Sequence, residues 1–464
     1  MAHSARITDY TTDTITLSSA PYILLKYEMG APELDFTSSN GGSSDTDLVN
    51  VVYRDVQDRI TIMISNATAA LAQSDYERVE LFVERTIRRH KEDAGPKTFV
   101  EVQMQFDSVF WSSEILTMWL EPNEDSFIEI PQGKITFDLV VLRRYFWQKS
   151  SETMLTGSNG NGSATLLTIK NHDDATSGDD NWASYSGSGI SGTIPSPVRI
   201  SIQNTSGSAM TFKNVYLAIN GVADPTNFQH IWEGSAASGA GTNLTDASSS
   251  GGSYRDLTYA AAGDYVSSLY WLPSTNFFSI TKGRMFRALM VCRTAISSNC
   301  FVSIGAGVFD SPLFLNTWRG DEVQGGSGGL IYDLGNIRLP QSNFVVGTTY
   351  SSGFSLNVRC TGATAFQLDF IMFVPSNNFR HIEQSATSIP TPNNEYFIDD
   401  SYNGESVYRN ASNNKLPIYT AEGNDLVIWP GVTNRLYVLV DEPGYTATRT
   451  MKVQLEHWPR RLTF

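Results

Sequence analysis

Apolar and polar residues alternate along most of this chain, in short segments. Runs such as "YILLKYEM", "DRITIMIS", "TFVEVQMQFD", "SEILTMWLEP" and "ITFDLVVLRRYFW" have the period of two that puts every second side chain on one face of a strand. One stretch breaks this pattern. In "SDYERVELFVERTIRRHKEDAG", Ser74 to Gly95, the residues Val79, Phe82, Val83 and Ile87 recur at three- and four-residue spacing, with Arg78, Glu84, Arg85, Arg88 and Arg89 between them. That spacing predicts an amphipathic helix over 74–93. Ser74 with Glu77 fits a capping box at its start, and Gly95-Pro96 fits a stop.

Strands, one helix, then strands again predict a β-sandwich covered by that helix over 1–150. The turn-forming "SSETMLTGSNGNG", Ser150 to Gly162, marks a boundary. Beyond it, "PVRISIQN", "TFKNVYLAING", "MFRALMVCRT", "CFVSIGAGVF", "LIYDLGNIRLP", "FSLNVRCTG" and "AFQLDFIMFVP" predict an inserted jelly-roll β-sandwich over 151–388. Within it, Gly234 to Gly263 is rich in Ser, Ala and Gly and reads as a mobile surface loop. From 389 to 464, "YFIDD", "NDLVIWPG", "NRLYVLVD" and "TMKVQLEHWPRRLTF" read as return strands that complete the first domain. The expected fold class is mainly β.

Composition narrows the function. At 464 residues the chain has room for two or three cores, and with only 17% charged residues and 11% aromatics it has the look of a turn-rich β protein. A net charge of −15 argues against a nucleic-acid-binding surface, which needs clustered Lys and Arg. The start "MAHSARITDYTTDTITLSSAPY" lacks the basic and apolar regions of a signal peptide, and no apolar run is long enough to span a bilayer. Synthesis in the cytosol without membrane insertion is the expectation. Cys292, Cys300 and Cys360 are too few for a disulfide framework. Cys360 alternates with Phe354, Leu356 and Val358, so a buried, inert thiol is expected there.

Candidate chemistry is sparse. The acidic loop 171–181 carries oxygen ligands suited to calcium but lacks the spacing of an EF-hand, and a solvated acidic loop is the favoured reading. His3, His90, His172, His230, His381 and His457 are scattered without zinc-site spacing. Arg319-Gly320-Asp321 reads as a turn. The glycine-rich "GGSGGL" at Gly325 to Leu330 lacks the Lys of a phosphate loop, and no nucleophile elbow is present. No catalytic residue, metal or cofactor is expected. Trp182, Tyr185, Trp232 and Trp318 are the candidate rings for stacking on sugars, set against ordinary packing of loops.

The segments "LVNVVYRDVQDRITIMI", the helix, "FVEVQMQFDSVFWSSEILTMWLEP" and "ITFDLVVLRRYFWQ", followed at the end by "LVIWPGVTNRLYVLV" and "WPRRLTF", resemble in their order the distal tail and tail-tube family of long-tailed bacteriophages. "YDLGNIRLP" and "FQLDFIMFVP" are similar to parts of galectin-like or carbohydrate-module-like jelly rolls. The resemblance implies a non-enzymatic virion protein of the tail, made in the host cytoplasm. Its helix-braced sandwich would form a ring around the DNA channel as a distal tail or baseplate hub component. The inserted sandwich would face outward, toward host glycans or neighbouring tail proteins. Implied partners are copies of itself in a hexamer or trimer, other tail proteins and a host surface glycan, with DNA passing through the lumen without specific binding. Val79, Phe82, Phe110, Trp111 and Trp119 are the candidate oligomer-interface residues. Alternatives are a major tail tube protein in stacked rings, a carbohydrate-binding adhesin, and a polysaccharide-active enzyme.

Overall fold

Alternation becomes antiparallel sheet throughout. The computed structural model describes residues 4–9, 13–39, 47–89, 100–106, 108–122, 130–149, 153–173, 180–221, 228–274, 277, 281, 284–310, 313–338, 350–385, 389–410, 412–441 and 450–462. They are mainly strand, with one long helix among them. The chain divides into two units: Met1–Glu152 with Gly192–Ile194 and Trp458–Phe464, and Thr153–Ser191 with Pro195–His457.

The first unit is built on a ten-stranded sheet. Its path runs Thr14–Thr16, Ala5–Asp9, Val100–Phe106, Val109–Pro122, Lys134–Arg143, Val56–Ser65, Tyr22–Glu28 and Ser18–Ser19, with Trp147–Lys149 and Arg460–Arg461 joined beside it. The long strand Val109–Pro122 pairs with Val100–Phe106 along its first half and with Lys134–Arg143 along its second. Both halves of the sheet therefore contribute to one core, which holds Ile7, Val102 and Trp111 as well as Ile60, Ile62, Phe137 and Leu139. In Val56–Ser65 burial alternates as the sequence does, and Asp58 takes one of the inward positions.

The helix runs Ala69–Arg89, five residues earlier than the capping-box pattern predicts. Ala69-Ala70-Leu71-Ala72 are strong helix formers, so they propagate the helix backwards and leave Ser74 inside it. The working cap is Thr68, whose Oγ1 accepts the Leu71 N–H at 3.3 Å. Ala72, Val79, Phe82 and Thr86 form the buried stripe, and Tyr76 meets Phe137 edge to face at 5.3 Å. The Gly95-Pro96 stop and the side chain of Ile87 lie outside the described residues.

The second unit contains two cores. The first lies between an eight-stranded sheet, with Met451–His457, Ser196–Asn204 and Tyr396–Asp400 at its centre, and a seven-stranded sheet centred on Asn434–Asp441 and Asn214–Gly221. The second lies between two six-stranded sheets, one carrying Thr364–Pro375 and Met285–Cys292, the other Tyr350–Cys360 and Cys300–Asp310. All the strands of the second sandwich fall between Asn214–Gly221 and Phe379–Gln384, two neighbouring strands of the first. The single inserted jelly roll read from the sequence is thus two sandwiches, one nested in the other.

Two further expectations change. Gly234 to Gly263 is not one long loop: it contains Thr242–Thr245 and Ser253–Tyr259, and Leu257 and Tyr259 are core residues. Short turns make this feasible, with Gly239, Gly241, Gly251 and Gly252 at positive φ. The segment 389–464 does not return whole to the first unit. Tyr396–Asp400, Glu405–Arg409, Asn434–Asp441 and Met451–His457 pair within the second unit, and only Trp458–Phe464 belongs to the first. Asn434–Asp441 is buried along its whole length because Leu436, Val438 and Val440 enter one core while Tyr437 and Leu439 enter the other. A strand of that kind loses the alternation that would have assigned it to a sheet.

Candidate functional site

In the first unit, the helix and the strand beside it leave a surface groove lined by Glu77, Glu80, Leu81, Val83, Glu84 and Leu120. Leu81 is 54% exposed and Leu71, on the same helix, 52%. On the other face of Val109–Pro122 from Leu120, Trp119 is partly exposed and donates its indole N–H to Glu121 at 3.0 Å. On Tyr22–Glu28 a register shift between Leu24 and Lys26 leaves Leu25 outside the pairing, and it stands exposed. The unit therefore shows several large apolar side chains, with carboxylates around the groove.

Of the predicted interface residues, Val79 and Phe82 are enclosed in this unit's own core and have no surface to offer a neighbour. Trp111 is buried under the Arg461 guanidinium, 4.0 Å from its ring centroid. Phe110 is half-buried beneath Arg6 at 3.8 Å. Trp119 alone of the five is exposed. On the basic side of the helix, Arg78 and Arg85 stay partly exposed and both pair with Asp13.

The candidate sugar-stacking rings divide similarly. Tyr185 belongs to one core of the second unit and Trp232 to the other, where Trp232 meets Phe277 at 4.9 Å and Phe354 at 5.1 Å, both edge to face. Trp182 is half-buried, with Arg435 4.2 Å above its ring. Trp318 is 40% exposed. It lies on Leu313–Arg319, at the edge of its sheet. A register shift between Ala306 and Gly307 puts Trp318 opposite Ala306 as Leu315 is opposite Val308, so Leu313, Leu315 and Trp318 share one face. All three are exposed.

The other face of that sheet is closed by the chain itself. The sheet order runs Ser238–Gly239, Gly263–Trp271, Tyr350–Cys360, Cys300–Asp310, Leu313–Arg319, yet Ser267 Oγ donates to the Phe314 carbonyl at 3.2 Å, across two intervening strands. The sheet must curl to allow that contact. Inside the curl, Asn316 Nδ2 donates to Asn357 Oδ1 at 2.7 Å, Ser355 Oγ to Asn316 Oδ1 at 2.6 Å, and Arg319 Nε to Ser303 Oγ at 2.9 Å. Ser303, Ser355 and Asn357 are fully buried. Gly353 is needed here, because a Cβ would collide with the Trp271 carbonyl oxygen and crowd Phe314. This polar face is thus spoken for within the protein.

The acidic loop is described only at its ends. Asp180 Oδ2 accepts the Gly160 N–H at 2.7 Å, and Asp173 stands 3.4 Å from His230 Nε2. Among the described residues no group of three His, Cys, Asp or Glu is placed to hold a metal, and no helix is long and apolar enough to cross a membrane. Arg319 of Arg319-Gly320-Asp321 is held by Asp264 and Glu322. Leu330 at the end of "GGSGGL" donates its N–H to Asp441 at 3.0 Å, so this glycine-rich segment is docked against the neighbouring sandwich.

Asp399 is a buried carboxyl with an altered titration. Burial pushes Asp399 up to about 6 despite Arg380 at 3.1 Å and the Ser406 hydroxyl at 2.7 Å. Its folded-state pKa lies above the unfolded value, so its contribution is complete below about pH 4 and is lost as pH rises through about 6. The melting temperature of the second unit is expected to fall across that interval, and Asp399→Asn to flatten this part of the profile; calorimetry over a pH series reads both.

The exposed leucines were missed by sequence reasoning because they lie off the helix's apolar stripe, and an isolated surface Leu is ordinary in any protein. No protein-family model matches the chain, and no curated protein matches it. Among solved structures it is similar to the SPP1 Dit (gp 19.1) protein, described as a paradigm of the hub adsorption apparatus in Gram-positive infecting phages, at 6% identity over 98% of each chain, TM-score 0.32. It is similar to a chain of the phage P2 baseplate in its activated conformation with Ca, at 10% identity over 98% of each chain, TM-score 0.29. A third match is the N-terminal CBM22-1-CBM22-2 tandem domain of Paenibacillus barcinonensis Xyn10C, at 10% identity over 55% of this chain and 98% of that one, TM-score 0.19.

Proposed function

We propose that the chain is a structural subunit of a bacteriophage tail, whose first unit assembles with copies of itself into a ring and whose second unit is an attachment module. The observation that carries the reading is the groove of Leu81, Val83 and Leu120 rimmed by Glu77, Glu80 and Glu84, with Leu71, Leu25 and Trp119 exposed on the same unit. Large apolar side chains left open on a unit with a well-filled core fit a protein that buries them on assembly. Val79 and Phe82 support the ring from within by fixing the helix that carries Leu71 and Leu81. Leu81→Asp puts a carboxylate among three others, and it is expected to weaken self-association by about thirtyfold or more, in the range of a lost hot spot, while leaving the unit folded. Sedimentation of the variant beside the natural protein tests it; unchanged association would sink the reading.

A second reading concerns the second unit alone. Trp318, next to Leu313 and Leu315, is the predicted sugar-stacking ring with an open face, and this supports contact with a host glycan or with a neighbouring tail protein. Binding of the full chain to a glycan array that is lost in Trp318→Ala would favour sugar; silence across the array favours the protein partner.

A further inference from the structure

Two of the three thiols stand face to face. Cys300 opens Cys300–Asp310, Cys360 closes Tyr350–Cys360, and in the antiparallel pairing of these strands they are directly opposite. The backbone bonds tell which kind of pair this is. The Cys300 N–H goes to the Ser297 carbonyl at 2.9 Å, and the Cys300 carbonyl accepts from the Gly325 N–H at 2.9 Å, whereas the adjacent Thr361 N–H bonds Asn299 across the strands at 2.8 Å. Cys300 and Cys360 therefore occupy a non-hydrogen-bonded position, where Cα atoms approach to roughly 4.5 Å and side chains are closest. That separation is inside the range a disulfide spans. Cys292 lies on a different sheet of the sandwich.

We propose that Cys300 and Cys360 are a redox-convertible pair that closes into an intramolecular cross-strand disulfide once the protein leaves a reducing compartment. The oxidant is a low-molecular-weight disulfide such as oxidised glutathione. Cys360, 3% exposed where Cys300 is fully covered, attacks first as thiolate: a bond forms between its sulfur and one glutathione sulfur, and the other glutathione leaves as thiolate. The Cys300 thiolate then attacks the Cys360 sulfur and expels the second glutathione. Two protein S–H groups and one glutathione S–S become one protein S–S and two glutathione S–H.

Burial raises both thiols, Cys300 to about 12, so thiolate is scarce and closure is slow. A slow staple suits a protein that folds reduced and acts outside the cell. The timing rests on the tail reading; the chemistry rests on the strand geometry alone. The closed loop contains Leu313–Arg319, the edge strand whose Asn316 and Arg319 bond to Asn357, Ser355 and Ser303.

The test uses the full chain purified under reductant. One arm incubates the native protein with oxidised glutathione for days; the other refolds it from denaturant in a glutathione redox buffer. Thiols are counted in denaturant, and unreduced tryptic peptides are mapped by mass. The expected result is a drop from the three thiols of the sequence to Cys292 alone, a Cys300–Cys360 linked peptide in both arms, and a rise of roughly 5–10 °C in the melting temperature of the second unit. Cys292→Ser keeps the thiol loss, and Cys300→Ser and Cys360→Ser each abolish it. Three thiols surviving both arms, a bridge through Cys292, or a glutathione adduct on Cys360 that never resolves overturns the proposal. A disulfide found in a protein that forms no ring would leave the chemistry standing and remove its timing.

Discussion

Replacing Asp58 with Ala is expected to lower the stability of the first unit by about 3–5 kcal/mol, the range for breaking a buried ion pair. Asp58 and Arg143 are almost wholly enclosed. Arg143 Nε donates to Asp58 Oδ2 at 2.5 Å and Nη2 to Oδ1 at 3.2 Å. The remaining acceptor capacity is filled by Tyr27 OH at 2.7 Å and the Gly30 N–H at 2.9 Å, and the guanidinium lies 4.4 Å from the Trp147 ring centroid. Removing the carboxylate strands a guanidinium where water cannot reach it, and it frees the turn after Tyr22–Glu28 that Gly30 anchors. The double variant Asp58→Leu/Arg143→Met leaves no charge behind and is expected to recover most of the loss. Urea unfolding followed by the first unit's tryptophans separates the two cases, and a double variant no better than the single would count against a charge-burial origin.

Trp232→Ala is expected to cost the second unit about 3–5 kcal/mol, while Trp318→Ala changes its stability by less than about 0.5 kcal/mol. Trp232 is 5% exposed and wedged between Phe277, Phe354 and Phe373. Truncating it opens a cavity beneath Phe354, which also stacks on Trp271 at 5.0 Å. Trp318 supports no such cluster. Thermal unfolding of the two variants distinguishes a core ring from a surface ring, and equal losses would contradict the packing described.

The comparison of these two tryptophans shows how far the sequence could be read. Alternation marked the strands of the first unit, and three-and-four spacing marked Val79 and Phe82 as the buried side of a helix, because those patterns are local. The helix start was misplaced by five residues because a capping motif inside a helix-forming stretch yields to propagation from Ala69. Which way an aromatic points depends on its strand partner, and Trp182 pairs with Tyr437, far away in sequence. Nothing local reports that register. The nesting of one sandwich inside another was hidden for a related reason: Asn434–Asp441 serves both cores and carries no period of two. Number argues against a disulfide framework and alternation makes Cys360 a buried, inert thiol, whereas the pairing of Cys300 with Cys360 emerges only once the strands are placed side by side.

Self-assembly is the claim on which the functional reading stands, and electron microscopy of the purified full chain tests it most directly. The account predicts closed rings of one size with a central channel, dispersed by Leu81→Asp. A field of single, unassociated particles for the natural protein, unchanged across concentrations, would contradict it.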